Sequence, residues 1–339
     1  MLNNIGIIGA GKMGANLMYY LLDMNFTLTW ICSPETDIDK LRKTFNKRLG
    51  RTLEAGIIDE TRFQNIMNQV IISNNIQDLS KCELIIEAIS EDLKAKQQLF
   101  HKLDTIAPAT CIFASNSSSI NPSKLVPSEN RKNTFIGLHF FYPIALKDIA
   151  EVIVTSDTSK DTLLKVTSFL KKIRRKFLLL EEKDSFILNR IFLNFQNEAF
   201  LLVNNHKASL DQIDRIVKEH FFSSGVFEFI DSVGLDVMLA SVENYSKVDP
   251  TPERFYPLID RLQKLVSAGM LGKKTKSGFL EDGSPLDPEY PENDLEIISK
   301  LKTTYELSFR SFCNSSGIPA IILKSAMDEY FGSETPLVI

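Results

Sequence analysis

Clustered cysteines, long apolar runs and an excess of basic charge are all missing from this 339-residue sequence. Its four cysteines, Cys32, Cys82, Cys111 and Cys313, stand far apart with no CxxC pair. That spacing offers neither a zinc site nor a disulfide framework, and it suits a reducing cytosol. No apolar run approaches the roughly 18 residues that a membrane helix requires, so no membrane partner is expected. With 39 Lys and Arg against 43 Asp and Glu, the net charge is -4. A duplex nucleic-acid binder needs a basic face to displace counterions, so no nucleic-acid partner is expected either. The opening residues, MLNNIGIIGAG, enter a strand pattern with no basic n-region or cleavage site, and no signal peptide is read there. A hydrolase reading fails for want of a GxSxG elbow, and a metalloenzyme reading for want of clustered ligands. What is present is ordinary for a cytoplasmic globular protein: 44% hydrophobic and 24% charged residues, in a chain long enough for two domains.

The first half alternates short β-branched runs with longer helical patterns. Strands are expected at 4–9, 27–31, 70–73, 83–88 and 111–115, each near-continuously apolar, with a helix at 13–22 and two charged helical stretches reaching about Gln69. Continuous apolar strands separated by helices indicate a parallel sheet covered on both faces. Further strands at 134–141, 151–154 and 177–181 extend the sheet, with a helix over Lys160–Lys172. After about Ser185 the apolar spacing becomes helical: FILNRIFLNFQNEAFLLVNN runs unbroken to Asn204 and Asn205, and SLDQIDRIVKEHF follows with Ser209 as N-cap. The stretch 280–294 is rich in Pro, Gly and acid and reads as a linker or surface loop. Two more helices are expected at about 295–314 and 319–331. NEAFLLVNNHKASLDQIDRIVKEHFF and TYELSFRSFCNSSGIPAIILKSAMDEYF share one pattern, a long helix, a small polar turn and a second helix ending in two aromatics; a duplication and two unrelated helical hairpins both produce it.

GIIGAGKMG contains Gly9-x-Gly11-x-x-Gly14 at a strand end that opens a helix. Gly9 permits the tight turn, Gly11 lets a pyrophosphate approach the backbone, and Gly14 allows close helix–strand contact, so that phosphates sit on the helix N-terminus. The fold class is therefore α/β, a Rossmann-type doubly wound sheet, followed by a mainly α-helical C-terminal domain. The second strand ends in WICSPE, placing Cys32 and Ser33 where an acid would accept from the adenosine ribose. No arginine stands beside them to favour a 2′-phosphate. NAD is favoured, with NADP not excluded.

LIIEAISEDLKAKQQLF, IFASNSSS and GLHFFYP, followed in order by AEVI, FILNR, SVGLD and GKKTKSGF, make the chain resemble the L-3-hydroxyacyl-CoA dehydrogenase family over roughly residues 3–280. The resemblance implies oxidation of the 3-hydroxyl of an acyl thioester with hydride transfer to NAD, and a homodimer. It makes His139 the catalytic base and Glu151 its carboxylate partner. Independent chemistry agrees: removing a hydroxyl proton as hydride leaves requires a base with a pKa near neutrality. Of the four histidines, His101 falls in a charged helix, His206 at a polar helix end and His220 beside two phenylalanines. Only His139 ends a sheet strand, where an open α/β sheet places its ligands. The resemblance also sets Ser118 to hydrogen-bond the substrate oxygen and Asn189 to approach it from the start of the second domain. The alternatives are a helix cap for Ser118 and a helix-interior amide for Asn189. Glu91 and Lys96 match positions near the ribose and nicotinamide, or else form a solvated helix start. Lys12, Met13, Ser33, Ala88 and Asn116 complete the implied cofactor contacts, with Lys274 a weaker one. A basic stretch (Lys40, Arg42, Lys43, Lys47, Arg48, Arg51) is either a site for CoA phosphates or a charged helix face.

The implied division is 1–185 for NAD(P) binding, 186–280 as a helical substrate and dimerisation domain, and 281–339 as a helical extension. The sequence departs from the family pattern where HFFNP becomes HFFYP, setting Tyr142 beside the base and cofactor as a substrate-binding residue in place of an asparagine. PGF becomes DSF at Asp184, Ser185 and Phe186. Three functions follow: a 3-hydroxyacyl thioester dehydrogenase, the same chemistry on a carrier-protein-bound acyl group or a free 3-hydroxy acid, and a cofactor-binding protein that has lost turnover.

Overall fold

The computed structural model describes residues 2–280, 293–332 and 334–336. Of the expected loop at 280–294, residues 281–292 lie outside these. The chain forms two compact units, Met1–Ser185 and Phe186–Ile339.

The first unit runs β1 (Asn4–Ile8), α1 (Lys12–Leu21), β2 (Thr27–Ile31), α2 (Ile38–Glu54), α3 (Glu60–Gln69), β3 (Val70–Ser73), β4 (Leu84–Glu87), α4 (Leu93–Asp104), β5 (Ile112–Ser115), β6 (Phe135–Phe140), β7 (Ile149–Val154), α5 (Lys160–Lys172) and β8 (Lys176–Glu181). The sheet order is β3-β2-β1-β4-β5-β6-β7-β8, a Rossmann-type doubly wound sheet. Successive strand residues point to opposite faces, and the apolar runs fill both. Leu84 and Ile86 pack with Leu17 and Met18 of α1 and Phe169 of α5 on one face. Ile85 joins Phe100 and Leu103 of α4 on the other. The helices start where a short polar side chain accepts from a first-turn N–H: Asp37, Asp59, Asp92 and Ser159. The sheet is parallel as far as β6. The 141–148 connection is too short for a crossover, so β7 returns antiparallel to β6 and β8 follows β7 in parallel. That reversal, not legible in the strand pattern, sets Glu151 directly opposite His139.

The second unit is helical: α6 (Ile187–Asn204), α7 (Leu210–His220), α8 (Val226–Val233), α9 (Leu235–Ser246), α10 (Tyr256–Ser267), α11 (Asp294–Ser316) and α12 (Ala320–Phe331). Ser209 caps α7 by accepting from the Gln212 N–H. Helix α6 is apolar nearly all round, the pattern of a buried helix, and it lies at the centre of this unit against α10, α11 and α12. The face of α6 that suggested a homodimer is thus buried within the unit, where Phe192 and Phe195 are 4% and 0% exposed. Among the described residues no helix is long and apolar enough to cross a membrane.

Candidate active site

In the first unit, β1, β4, β5 and β6 are parallel, so their C-terminal ends share one edge of the sheet. The strand order reverses between β1 and β4, the switch point at which open α/β sheets bind ligands. The glycine loop sits there, and each glycine has its own physical reason. Gly9 adopts φ +117, and a Cβ on it would come 2.3 Å from the Ala88 carbonyl oxygen. A Cβ on Gly14 would come 2.1 Å from the carbonyl oxygen of Gly9. Gly11 has extended backbone and caps α1, and a Cβ there would meet nothing within 4 Å. The protein itself therefore does not require glycine at 11; an anion approaching the helix N-terminus does. Lys12 and Met13 open the helix beside it. The one tryptophan, Trp30, is buried in β2 and donates from Nε1 to the Gly9 carbonyl at 2.8 Å, bracing the loop from below. At the end of β2 Ser33 is exposed, with its Oγ 3.1 Å from that of Thr36.

Beyond β4 lies a buried polar network. Lys96 is 1% exposed, and its ammonium lies 2.6 Å from Glu87 Oε1 and 3.3 Å from Glu91 Oε2. The solvated-charge alternative for Lys96 is therefore wrong. A buried ammonium needs paired carboxylates to offset desolvation, and both are present. Glu87 Oε2 also accepts from the Ser115 hydroxyl at 2.6 Å. Glu91 Oε1 accepts from the hydroxyls of Ser117 and Ser119 and from the backbone N–H groups of Ser118 and Ser119, at 2.5–3.0 Å. Burial alone would raise the Glu91 pKa, but the Lys96 charge and the serine hydroxyls outweigh it and hold the carboxyl below its ordinary value. Ser118 does not cap a helix; it sits in a loop held to Glu91. Glu87 was not among the residues singled out from the sequence, although an acid ending the apolar run LIIE was a signal for it.

On β6, His139 is 4% exposed and its Nδ1 lies 2.8 Å from Oε2 of the fully buried Glu151. The next residue is pinned as well: Asn116 Oδ1 accepts from the Phe140 N–H at 2.8 Å. The loop that follows is tied to α1, because Asn16 Oδ1 accepts from the Ile144 N–H at 2.7 Å. Neither Asn16 nor Trp30 was anticipated, since each acts through a backbone atom distant in sequence. Tyr142, in that loop, is 53% exposed. The first unit thus gathers the glycine loop, Ala88, Asn116, the Ser118 loop and the His139–Glu151 pair at the strand ends. In the basic stretch, two side chains have structural uses: Arg42 donates to the Ile72 carbonyl, and Arg48 lies over the Tyr19 ring.

In the second unit, Asn189 Nδ2 donates to the Tyr245 hydroxyl at 3.2 Å. Lys274 is paired with Asp236 at 2.6 Å. Among the described residues no group of three or more His, Cys, Asp or Glu is placed to hold a metal ion.

Residues 4–183 match the 3-hydroxyacyl-CoA dehydrogenase NAD-binding domain, and residues 186–282 match the C-terminal domain of the same family. The chain is 31% identical to the probable 3-hydroxybutyryl-CoA dehydrogenase of Bacillus subtilis over 283 residues, covering 83% of this chain and 97% of that protein. A solved (S)-3-hydroxybutyryl-CoA dehydrogenase from Ralstonia eutropha is 28% identical with a TM-score of 0.71, over 82% of this chain and 98% of that one. The dehydrogenase part of a multifunctional enzyme from C. elegans shares the fold, with a TM-score of 0.60 and 21% identity, over 98% of this chain and 79% of its own. An NAD-binding first unit and a family-type second domain, matched in sequence and in fold, make this chain a member of the 3-hydroxyacyl-CoA dehydrogenase family, an NAD-dependent oxidoreductase.

Proposed function

We propose that the protein interconverts a 3-hydroxyacyl-CoA and its 3-ketoacyl form, with His139 as the base and Glu151 as its partner. The observation that carries this reading is the buried 2.8 Å contact between His139 Nδ1 and Glu151 Oε2 at the ligand-binding edge of the sheet. A carboxylate can only accept, so the shared proton belongs on Nδ1, and Nε2 becomes the edge that takes the hydroxyl proton. As that proton arrives, Glu151 stabilises the imidazolium and holds the ring in place. NAD, when bound, supplies the acceptor for the hydride leaving C3. In the reverse direction the imidazolium returns the proton to the ketone oxygen.

Gly9, Gly11, Lys12, Met13 and Gly14 form the cradle for the pyrophosphate, and the open space at Gly11 supports that assignment. Ser33 takes the ribose side. Ala88, Glu91, Lys96 and Asn116 complete the cofactor wall, with Glu91 and Lys96 acting by fixing the loop that carries Ser118. Ser118 binds the substrate oxygen. Asn189 is also assigned to substrate, Tyr142 to the acyl side, and Lys274 to cofactor. The buried thiols of Cys32 and Cys82, pushed up to about 11, and of Cys111, pushed up to about 12, suit a reducing compartment such as the cytoplasm.

The test is NADH formation with a panel of L-3-hydroxyacyl-CoA thioesters, their carrier-protein counterparts and free 3-hydroxy acids. Turnover of the free acids or carrier-bound chains alone would replace CoA in this assignment. NADH binding with no turnover on any of them would replace the enzyme by a cofactor-binding protein.

A further inference from the structure

We infer that α11 and α12 form an internal copy of the α6–α7 hairpin that occupies, within one chain, the face on which a second copy of a shorter chain would sit, and that the protein works as a monomer. The matched family domain ends at residue 282, so both helices lie beyond it. Each hairpin has the same plan. Its first helix gives way to a left-handed residue, His206 with φ +56 and Gly317 with φ +69, and its second is followed by or ends in two aromatics, Phe221–Phe222 and Tyr330–Phe331. Counting back from those pairs, Tyr305 of α11 falls within one residue of the place that Phe195 holds in α6.

The contacts between the hairpins join counterparts. Phe222 and Phe331 are stacked, with ring centroids 3.9 Å apart and planes at 16°. Phe195 and Tyr305 meet edge to face at 5.8 Å. The cross contacts are nearly reciprocal: Phe222 meets Tyr305 at 5.5 Å, and Phe331 meets Phe192, one turn from Phe195, at 4.9 Å. A residue touching its own counterpart is what a two-fold, isologous interface requires; two unrelated hairpins have no reason to meet that way. The seam also carries specific polar contacts. Asn194 Nδ2 donates to Ser308 Oγ at 2.6 Å, and Arg215 pairs with Asp294 at 2.8 Å.

Without α11 and α12, Phe192, Phe195 and Phe222 would lie bare. At about 150–250 Å² each they match or exceed the largest apolar patch of a typical monomer, about 300–600 Å². That face calls for a second copy, and here the chain supplies its own.

Sedimentation equilibrium of the full chain over two decades of concentration tests this. One-chain mass throughout is expected; a dimer at every concentration, for instance through the exposed Leu307, Ile321 and Ile322, overturns it. The full-length variant Tyr305→Asp, followed by hydrogen exchange in α6, gives a second reading. Loss of protection in α6 together with a concentration-dependent doubling of mass supports the inference. Loss of protection with no association, or association with α6 still protected, contradicts it. Should that variant fail to bind NADH, the wild-type mass alone decides.

Discussion

Glu151 on β7 stands opposite His139 on β6, in register, with its carboxylate 2.8 Å from the imidazole Nδ1 and no exposure to solvent. Glu151→Gln keeps the size and one acceptor but removes the charge that stabilises an imidazolium. The expected result is a fall in kcat of about 10²-fold or more, with NADH affinity within a few-fold of wild type by fluorescence titration. An unchanged kcat would remove Glu151 from the mechanism.

Gly14 and Gly11 should separate folding from binding. Gly14→Ala drives a Cβ to 2.1 Å from the Gly9 carbonyl oxygen, so the backbone must shift, at a cost of about 1–3 kcal/mol. Gly11→Val meets no protein atom near its Cβ and should leave the thermal midpoint close to wild type, since substitutions away from packed features stay within about 0.5 kcal/mol. Its NADH affinity should fall by more than tenfold, because the added side chain stands where the pyrophosphate meets the helix. Melting curves and titrations on both variants check the pair; tight NADH binding by Gly11→Val would displace the cofactor from that loop.

The Glu91 carboxyl is held below its ordinary value by Lys96 and the serines, against the effect of burial. A carboxyl depressed in the folded state stabilises fully above its unfolded value, about 4.3, and that contribution is lost as pH falls through the folded value. Wild type should therefore lose stability on acidification below about pH 4 more steeply than Glu91→Gln, whose curve should be lower at pH 7 and flatter below it. Lys96→Met strands two buried carboxylates and should cost about 3–5 kcal/mol. Parallel acid curves for wild type and Glu91→Gln would show that the network carries no such charge.

Tyr142 replaces the family asparagine three residues beyond the base, in the loop tied to α1 through Asn16 and Ile144. A phenol offers one hydroxyl and a ring face where an amide offers a paired donor and acceptor. Tyr142→Asn should raise kcat/KM on L-3-hydroxybutyryl-CoA by about tenfold or more, the kinetic equivalent of regaining a hydrogen bond worth about 1–3 kcal/mol. Equal rates, with wild type already efficient, would make Tyr142 a neutral replacement.

The strands, the glycine loop and the paired His139 and Glu151 were legible because each has a local signature: an apolar run, a fixed glycine spacing, a histidine at a strand end. Boundaries for 27–31, 70–73 and Lys160–Lys172 coincide with β2, β3 and α5. The helices α8, α9 and α10 were not assigned, since SVGLD reads as a motif and the Gly234 turn with φ +108 interrupts any long period. The burial of Lys96 was not legible either. EDLKAK has the composition of a solvated helix start, and only tertiary packing brings Glu87 from β4 and the serine loop after β5 onto that lysine. Helix α6 showed an apolar face without showing what covers it, and so suggested a partner where α11 and α12 supply the contact.

The most direct test of the account is NADH absorbance with NAD and L-3-hydroxybutyryl-CoA, for wild type and His139→Ala side by side. Wild type should form NADH steadily. His139→Ala should be slower by about 10²–10⁴-fold, the usual scale for loss of a general base, while still binding NADH within a few-fold of wild type. Turnover by His139→Ala within a few-fold of wild type would contradict the assignment of His139 as the base.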